Sequence, residues 1–523
     1  MDSLVNECDV VVIGAGLSGL SAAYYLHKKD KGLRIIVLEA KDRIGGRTLT
    51  RQLAAADGTK DFWDLGGEWA GRPQPHLQYL LRKFNLNTFN PVRPHDGRQL
   101  SDLTTLTLQT RCDLIQFTWK LKSLQRKLTG VDLKMSVNAL EYDNCSFDKY
   151  KEENLWTQTA KTIVDSACKC MFGLEPSEMS LLYFLMYVKA AGGLEIFLHP
   201  KEFTGSECRI KGGVQQLSSH LVQKIGKKCV YLSQPVSHIV QSIEGARVIT
   251  TNNVQVLCQR IILAIPPHHI AAINYSPPLA PAKLGLFQSV PLAFIVKFAV
   301  TYEEAFWKKD NDRHHYGFQA VLDNDEGPVG IVYDASSGRG NPALAGFISS
   351  FQGLDSDPKN RRATIMRLIE KLLGPECQKI LEFSQMDWSK EPYNGGCFLR
   401  SIVPGATKYF NNELREPFDR IHFAGTETAT VWCGFMNGAI QSGFRAATEV
   451  LYHLRPLIIT SPDLEVLHLP DDAQETPQVK QNWLTWAAVG MGFASAVYFL
   501  TKTNTVSSST TFVKNIRLVF DGR

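Results

Sequence analysis

Asp9-Val10-Val11-Val12-Ile13-Gly14-Ala15-Gly16-Leu17-Ser18-Gly19-Leu20 is the stretch on which the fold turns. Four β-branched residues in a row read as a strand buried on both faces, which is the habit of parallel sheets. The glycines follow in a GxGxxG pattern. Leu20-Ser21-Ala22-Ala23-Tyr24-Tyr25-Leu26 then carries apolar residues at helical spacing. Arg34-Ile35-Ile36-Val37-Leu38-Glu39 reads as the next strand, so residues 9–39 form one βαβ unit. The acid Glu39 stands 20 residues after Gly19, where a dinucleotide's ribose hydroxyls are received. In this reading Gly14 makes the tight turn, Gly16 lets the backbone approach a pyrophosphate, and Gly19 allows close helix–strand packing. The helix N-terminus offers free amides and positive potential to the phosphates. A lone GxGxxG is a weak signal, but here strand, helix and acid all stand in place.

Downstream, Arg43-Ile44-Gly45-Gly46-Arg47-Thr48 follows the ribose acid closely. It offers the Arg43 and Arg47 guanidinium groups to a pyrophosphate, with the Gly46 backbone able to lie against it. A strand-rich stretch runs from Cys229 to Ala264 and ends at Ile265-Pro266-Pro267. Residues 96–214 read mostly helical, with amphipathic runs at 113–128 and 155–171. Residues 288–352 mix strands (293–300, 329–333, 345–351) with polar loops. A helix is expected at 361–373. A strand at 421–424 leads into a helix at 438–454. Such alternation argues for an α/β fold with an interleaved second domain.

At 523 residues the chain is long enough for two or three domains. Its net charge of +5 is mild, and no basic stripe interleaves with aromatics, so nucleic acid is not an expected partner. The 11 cysteines show no CxxC or Cys/His spacing, so no metal site is expected; Cys168 and Cys170 read as buried thiols on a helix. The N-terminus is polar, without a signal-peptide core, which points to a reducing compartment.

The C-terminal end differs. Residues 481–501 carry no charge and are flanked by Lys480 and Lys502. As a helix they would span about 31 Å, enough for a bilayer's hydrocarbon core. Trp483, Trp486 and Tyr498 sit near the ends, where interfacial aromatics belong. A single span followed by a short basic tail is the pattern of a tail anchor. The basic flank leans towards the mitochondrial outer membrane, with the body of the protein facing the cytosol.

Taken together, these segments resemble the flavin amine oxidases. Asp64-Leu65-Gly66-Gly67-Glu68-Trp69 is similar to the family's Leu-Gly-Gly segment beside the flavin. Ile265-Pro266-Pro267 resembles the strand end that closes the FAD domain. Gly425-Thr426-Glu427-Thr428-Ala429 resembles the turn that approaches the flavin ring. Val236 and Trp388 resemble two further contacts, to the adenine end and the flavin ring. The resemblance covers residues 8–500, and within the family it is to monoamine oxidases. Tyr393-Asn394-Gly395-Gly396-Cys397 is similar to the segment that carries their 8α-S-cysteinyl link to FAD, and a terminal membrane helix is also a monoamine oxidase trait. The implied layout is a Rossmann-like FAD-binding domain (1–95, 215–285, 395–455) interleaved with an α+β substrate domain (96–214, 286–394). A linker (456–480), a transmembrane anchor (481–501) and a basic tail (502–523) follow. A homodimer is implied as well.

Lys297 lies in the apolar run Ala293–Val300. On its own it reads as an edge residue whose stem snorkels. The resemblance implies instead a lysine bonded through water to flavin N5, assisting the reaction of reduced flavin with oxygen. Two departures concern the substrate. Where monoamine oxidases flank the amine with tyrosines, this chain has Phe398 and Phe435; both rings remain and both hydroxyls are gone. Asn437 replaces an acid, and Trp69 replaces a pocket tyrosine. The implied activity is oxidative deamination of arylalkyl monoamines, with O2 as acceptor and a rate that rises as the amine deprotonates. Polyamine or amino-acid oxidation on the same fold is one alternative. A membrane-tethered FAD-binding protein that has lost catalysis is another.

Overall fold

Val10–Ile13 (β1) is fully buried, as its unbroken apolar run requires. It sits at the centre of a five-stranded parallel sheet in the order 421–423, 260–263, β1, Ile35–Leu38 (β2), 230–231. The sheet thus gathers segments from the start, middle and end of the chain. The computed structural model describes residues 5–90, 106–127, 137–172, 175–190, 208–289, 295–308, 319–322, 329–349, 357–396 and 414–465.

Leu17–Lys29 (α1) leaves β1 through the glycine loop and buries every residue from Leu17 to Leu26. Its last turn carries His27, Lys28 and Lys29, which complements the helix dipole. Met436–Leu454 (α2) packs along it. The approach is close because position 443 is glycine: a Cβ there would collide with the Ser18 carbonyl of α1. A buried Ser18–Ser442 hydroxyl pair at 3.0 Å bridges the two helices.

A second sheet orders 5–7, 255–258, 246–250, 236–241 and 274–276, with parallel and antiparallel pairs. A third is antiparallel: 319–322, 329–334, 343–349, Ile295–Tyr302 (β3), 380–387. All eight residues of β3 are buried, and the strand is paired on both sides. Lys297 is therefore a central-strand lysine, not the edge residue that its composition alone suggests. Helices 108–127, 137–144, 147–154, 158–172 and 181–190 pack around Phe117, Phe147, Phe172 and Phe184. Phe147 and Phe184 stack with centroids 3.8 Å apart.

Boundaries moved where caps decide them. The helix expected at 361–373 begins at Pro358, because Asp357 accepts the Lys359 amide and proline is favoured in a first turn. The hairpin 50–54/60–64 and the strand 380–387 have no counterpart in the sequence reading. The latter is intermediate in exposure throughout and carries no apolar run. The expected span at 481–501 and the basic tail lie outside the described residues. Among the described residues no helix is long and apolar enough to cross a membrane.

Candidate active site

The glycine loop is shaped for a phosphate. Gly14 has φ +103°, and a Cβ there would stand 2.6 Å from the Ala264 carbonyl. A Cβ at Gly19 would meet the Gly14 carbonyl, so the turn tolerates neither side chain. Position 16 faces open space, with only the Gly46 Cα within 4 Å of a Cβ built there. Gly16 also caps α1 without a side-chain hydrogen bond, and the first turn holds no acid. Free amides and open space together make a cradle that fits an anionic pyrophosphate.

Glu39 ends β2 beside this loop. Its carboxylate accepts the Ala15 amide at 2.7 Å and the Lys41 amide at 3.0 Å. Burial pushes its pKa up, and those amides partly offset the push. Gly46 lies against Gly16, with its built Cβ 3.2 Å from the Gly16 Cα. The two arginines of this segment are held by carboxylates. Arg43 donates to Glu391 at 2.6 Å, and Arg47 grips Glu427 with two bonds of 2.7 and 3.0 Å. Lys41 shares Glu391 at 2.8 Å.

The turn at Gly425 closes onto the same loop. The Gly425 amide donates to the Ser18 hydroxyl at 2.8 Å, at the first turn of α1. The Thr426 hydroxyl donates to the Phe435 carbonyl at 2.9 Å and so ties this turn to the start of α2. The Phe435 ring stands edge-on to Trp432 at 5.3 Å and 6.1 Å from Tyr187. Cys397 and Phe398 lie outside the described residues. The segment before them is placed by Gly395, whose built Cβ would be 2.7 Å from His268 Nε2.

A third convergence surrounds Leu65 and Gly66. A Cβ at Gly66 would stand 2.7 Å from the Leu49 amide, so this strand end lies tight against the arginine segment. The Trp388 indole donates to the Leu65 carbonyl at 2.8 Å, and the Lys297 ammonium donates to the Gly66 carbonyl at 2.9 Å. Three segments distant in sequence thus meet within hydrogen-bond reach. Gly67 rests on the Met436 side chain, which joins this group to α2. Val236 opens the strand 236–241, half-buried against the core of the nucleotide region.

The sequence reading missed the partners of Lys297. Glu68 is 3% exposed and accepts from Lys297 at 2.7 Å, from Arg209 at 2.6 Å and from the Tyr333 hydroxyl at 2.6 Å. Burial alone would raise its pKa; the charges of Lys297 and Arg209 outweigh that and hold it below the usual range. Burial and the neighbouring Glu68 charge raise Asp64 to about 6. Tyr333 is raised well above its ordinary value by burial and by Glu68. The Trp69 ring lies tilted against Tyr333, with centroids 5.5 Å apart. Asn437, which stands in place of an acid, has a structural contact that its sequence position does not suggest: its Oδ1 accepts the His76 and Leu77 amides at 2.9 and 3.1 Å, at the start of the helix 75–83. No periodicity in the sequence carries this signal, since 76 and 437 meet only in the fold.

Comparison with known proteins agrees with this geometry. Residues 17–451 match the family described as flavin containing amine oxidoreductase. The chain is 32% identical over 461 residues to the probable flavin-containing monoamine oxidase A of Dictyostelium discoideum, covering 84% of this chain and 97% of that one. It is 31% identical over 493 residues to the flavin-containing amine oxidase B of Homo sapiens, covering 90% and 91%. Among solved structures, putrescine oxidase bound to putrescine superposes with a TM-score of 0.75 at 25% identity, over 86% of this chain and 99% of that one. Cyclohexylamine oxidase from Brevibacterium oxydans gives 0.74 at 26% identity, over 86% and 99%.

Proposed function

This chain belongs to the flavin-containing amine oxidoreductases, a family of enzymes, and from that premise we propose that it deaminates primary arylalkyl monoamines oxidatively. The balance is amine plus O2 plus water to aldehyde, ammonia and hydrogen peroxide. The observation that carries the reading is the meeting of the loops at 14–19, 45–48, 65–68 and 425–428 around Lys297, Trp388 and Phe435.

When bound, FAD supplies the two-electron oxidation and passes the electrons to oxygen. The chain's own groups hold and orient. Gly14, Gly16 and Gly19 with the amides of α1 would receive the pyrophosphate, Glu39 the ribose, and Val236 the adenine end. Arg43, Gly46 and Arg47 would line the phosphates, although both arginines also keep carboxylate partners. Gly66, Trp388, Gly425 and Thr426 would border the ring system, and Cys397 would carry the covalent 8α-S-cysteinyl bond. Phe398 and Phe435 would present their ring faces to a neutral amine and exclude water. Lys297 would place positive charge where oxygen accepts electrons.

A monoamine suits the electrostatics better than a diamine. Among the described residues, Glu68 and Glu427 are two buried acids of the site, each matched by cations, and they offer little field to a second ammonium. Residues 1–95, 215–285 and 395–455 would hold the cofactor, with 96–214 and 286–394 shaping the pocket. Residues 481–501 would moor a homodimer in the mitochondrial outer membrane, facing the cytosol.

Two measurements test this. The denatured full-length protein should gain the mass of one FAD, and Cys397→Ser should lose that gain. Benzylamine or serotonin should release peroxide. Release only with spermine, or only with an amino acid, would move the assignment within the family. A flavin that no amine bleaches would mark a protein that has lost catalysis.

A further inference from the structure

Glu68 is an acid in the middle of a site read as taking neutral amines, and it is not there to bind substrate. Each of its bonds is already made within the protein. Its partners come from three separate sheet segments: Lys297 from β3, Arg209 from 208–210, and Tyr333 from 329–334. Arg209 is fixed in turn by the Ser336 carbonyl at 3.0 Å and the Phe89 ring at 5.2 Å. Lys297 is fixed by the Gly66 carbonyl and by the Phe347 ring at 5.0 Å. The remaining charged neighbour among the described residues is Asp64, buried and bonded to the Thr50 hydroxyl and the Val214 amide. With both carboxylates ionised the group is neutral, two acids against two bases.

We propose that Glu68 is the positioning residue of the oxygen half-reaction: its carboxylate keeps the Lys297 ammonium charged and aimed, while Arg209 prevents it from cancelling that charge. This rests on the flavin amine oxidase reading above. An ammonium that is 1% exposed has lost its hydration, and its bonds to protein acceptors take the place of water. Gly66 supplies one dipole and Glu68 supplies the only carboxylate bonded to Lys297 among the described residues. Three donors on Glu68 also pin its rotamer, so Lys297 has one direction in which to point.

The test uses the full-length holoenzyme with its flavin reduced photochemically, so amine turnover is not required. Reoxidation by O2 is followed across pH, and the flavin midpoint potential is measured at pH 7. Glu68→Gln keeps the shape and removes the charge. Its reoxidation should begin its alkaline fall about one to three pH units lower than wild type, the range expected on losing a close opposite charge. Its midpoint potential should rise, since the field at the site becomes more positive. Arg209→Gln should move both readouts the opposite way, and it carries the test should Glu68→Gln fail to fold. Tyr333→Phe, which removes one of the three donors on Glu68 without changing charge, should move both readouts less than Glu68→Gln does. A buried pair with a purely structural role would lower thermal stability in these variants and leave profile and potential in place; that result overturns the proposal. A wild-type protein that retains no flavin, or whose reduced flavin ignores oxygen, would instead overturn the reading on which it rests.

Discussion

Replacing Lys297 with methionine keeps the volume of the side chain and removes its charge from a fully buried strand position. Flavin reoxidation by O2 should slow about 100-fold while anaerobic reduction by amine changes little, a split that stopped-flow absorbance resolves. Equal losses in both half-reactions would place the lysine elsewhere in the chemistry. At the other wall, Phe435 stands free of any polar partner demand and sits edge-on to Trp432. Phe435→Tyr should restore a dipole beside the amine and raise turnover by up to about tenfold, equivalent to about 1.4 kcal/mol of barrier. Turnover unchanged or lowered in Phe435→Tyr would mean that the phenyl pair is tuned for a different amine. In the cofactor cradle, Gly14→Ala forces a Cβ to within 2.6 Å of the Ala264 carbonyl at a φ of +103°. Purified Gly14→Ala protein should lack the flavin absorbance that the wild type carries.

Elements differ in how far they could be read from the chain. The unit β1–α1–β2 was legible because its signals are local: a fully buried strand needs an unbroken apolar run, and the turn needs glycine. Lys297 was legible as a residue but not as a position, since the neighbours that make β3 central lie at 343–349 and 380–387. Glu68 is legible in the sequence only as a member of the Leu-Gly-Gly segment. Its meaning comes from Arg209, Lys297 and Tyr333, which no spacing rule connects to position 68. Asn437 shows the same limit, because its role is set by a helix start more than 300 residues earlier.

An element-scale prediction follows from Asp463. This acid ties the segment after α2 back to α1, accepting from Tyr25 at 2.8 Å and from Lys29 at 2.7 Å, and it closes a capping box with Thr460. Burial would raise its pKa, but the Lys29, Thr460 and Tyr25 hydrogen bonds hold it well below the usual carboxylate value. A carboxyl whose folded pKa lies below its unfolded one stabilises at pH values above about 4, and that stabilisation is lost as pH falls further. Asp463→Ala should therefore cost about 3 kcal/mol at pH 7, seen by denaturant titration, with the difference from wild type shrinking in acid. A constant difference down to pH 2 would show that the ion pair contributes nothing.

For the whole molecule, the parallel sheet draws 10–13, 35–38, 230–231, 260–263 and 421–423 into one platform, and the antiparallel sheet brings Lys297 and Trp388 to meet it at Leu65 and Gly66. The catalytic arrangement is thus a property of the assembled chain. The hydrophobic stretch 481–501 is separate from that arrangement in sequence. A chain ending at residue 480 should keep its flavin and oxidise amines while leaving the membrane fraction on cell lysis. A truncated protein that still sediments with membranes would require another anchor.

The central claim, that these converging segments make an amine-oxidising flavin site, is tested most directly without oxygen. Benzylamine or serotonin added anaerobically to the purified yellow protein should bleach the flavin absorbance. Admitting air should restore the colour, with one hydrogen peroxide formed per flavin. A flavin that stays oxidised in the presence of these amines would contradict the account.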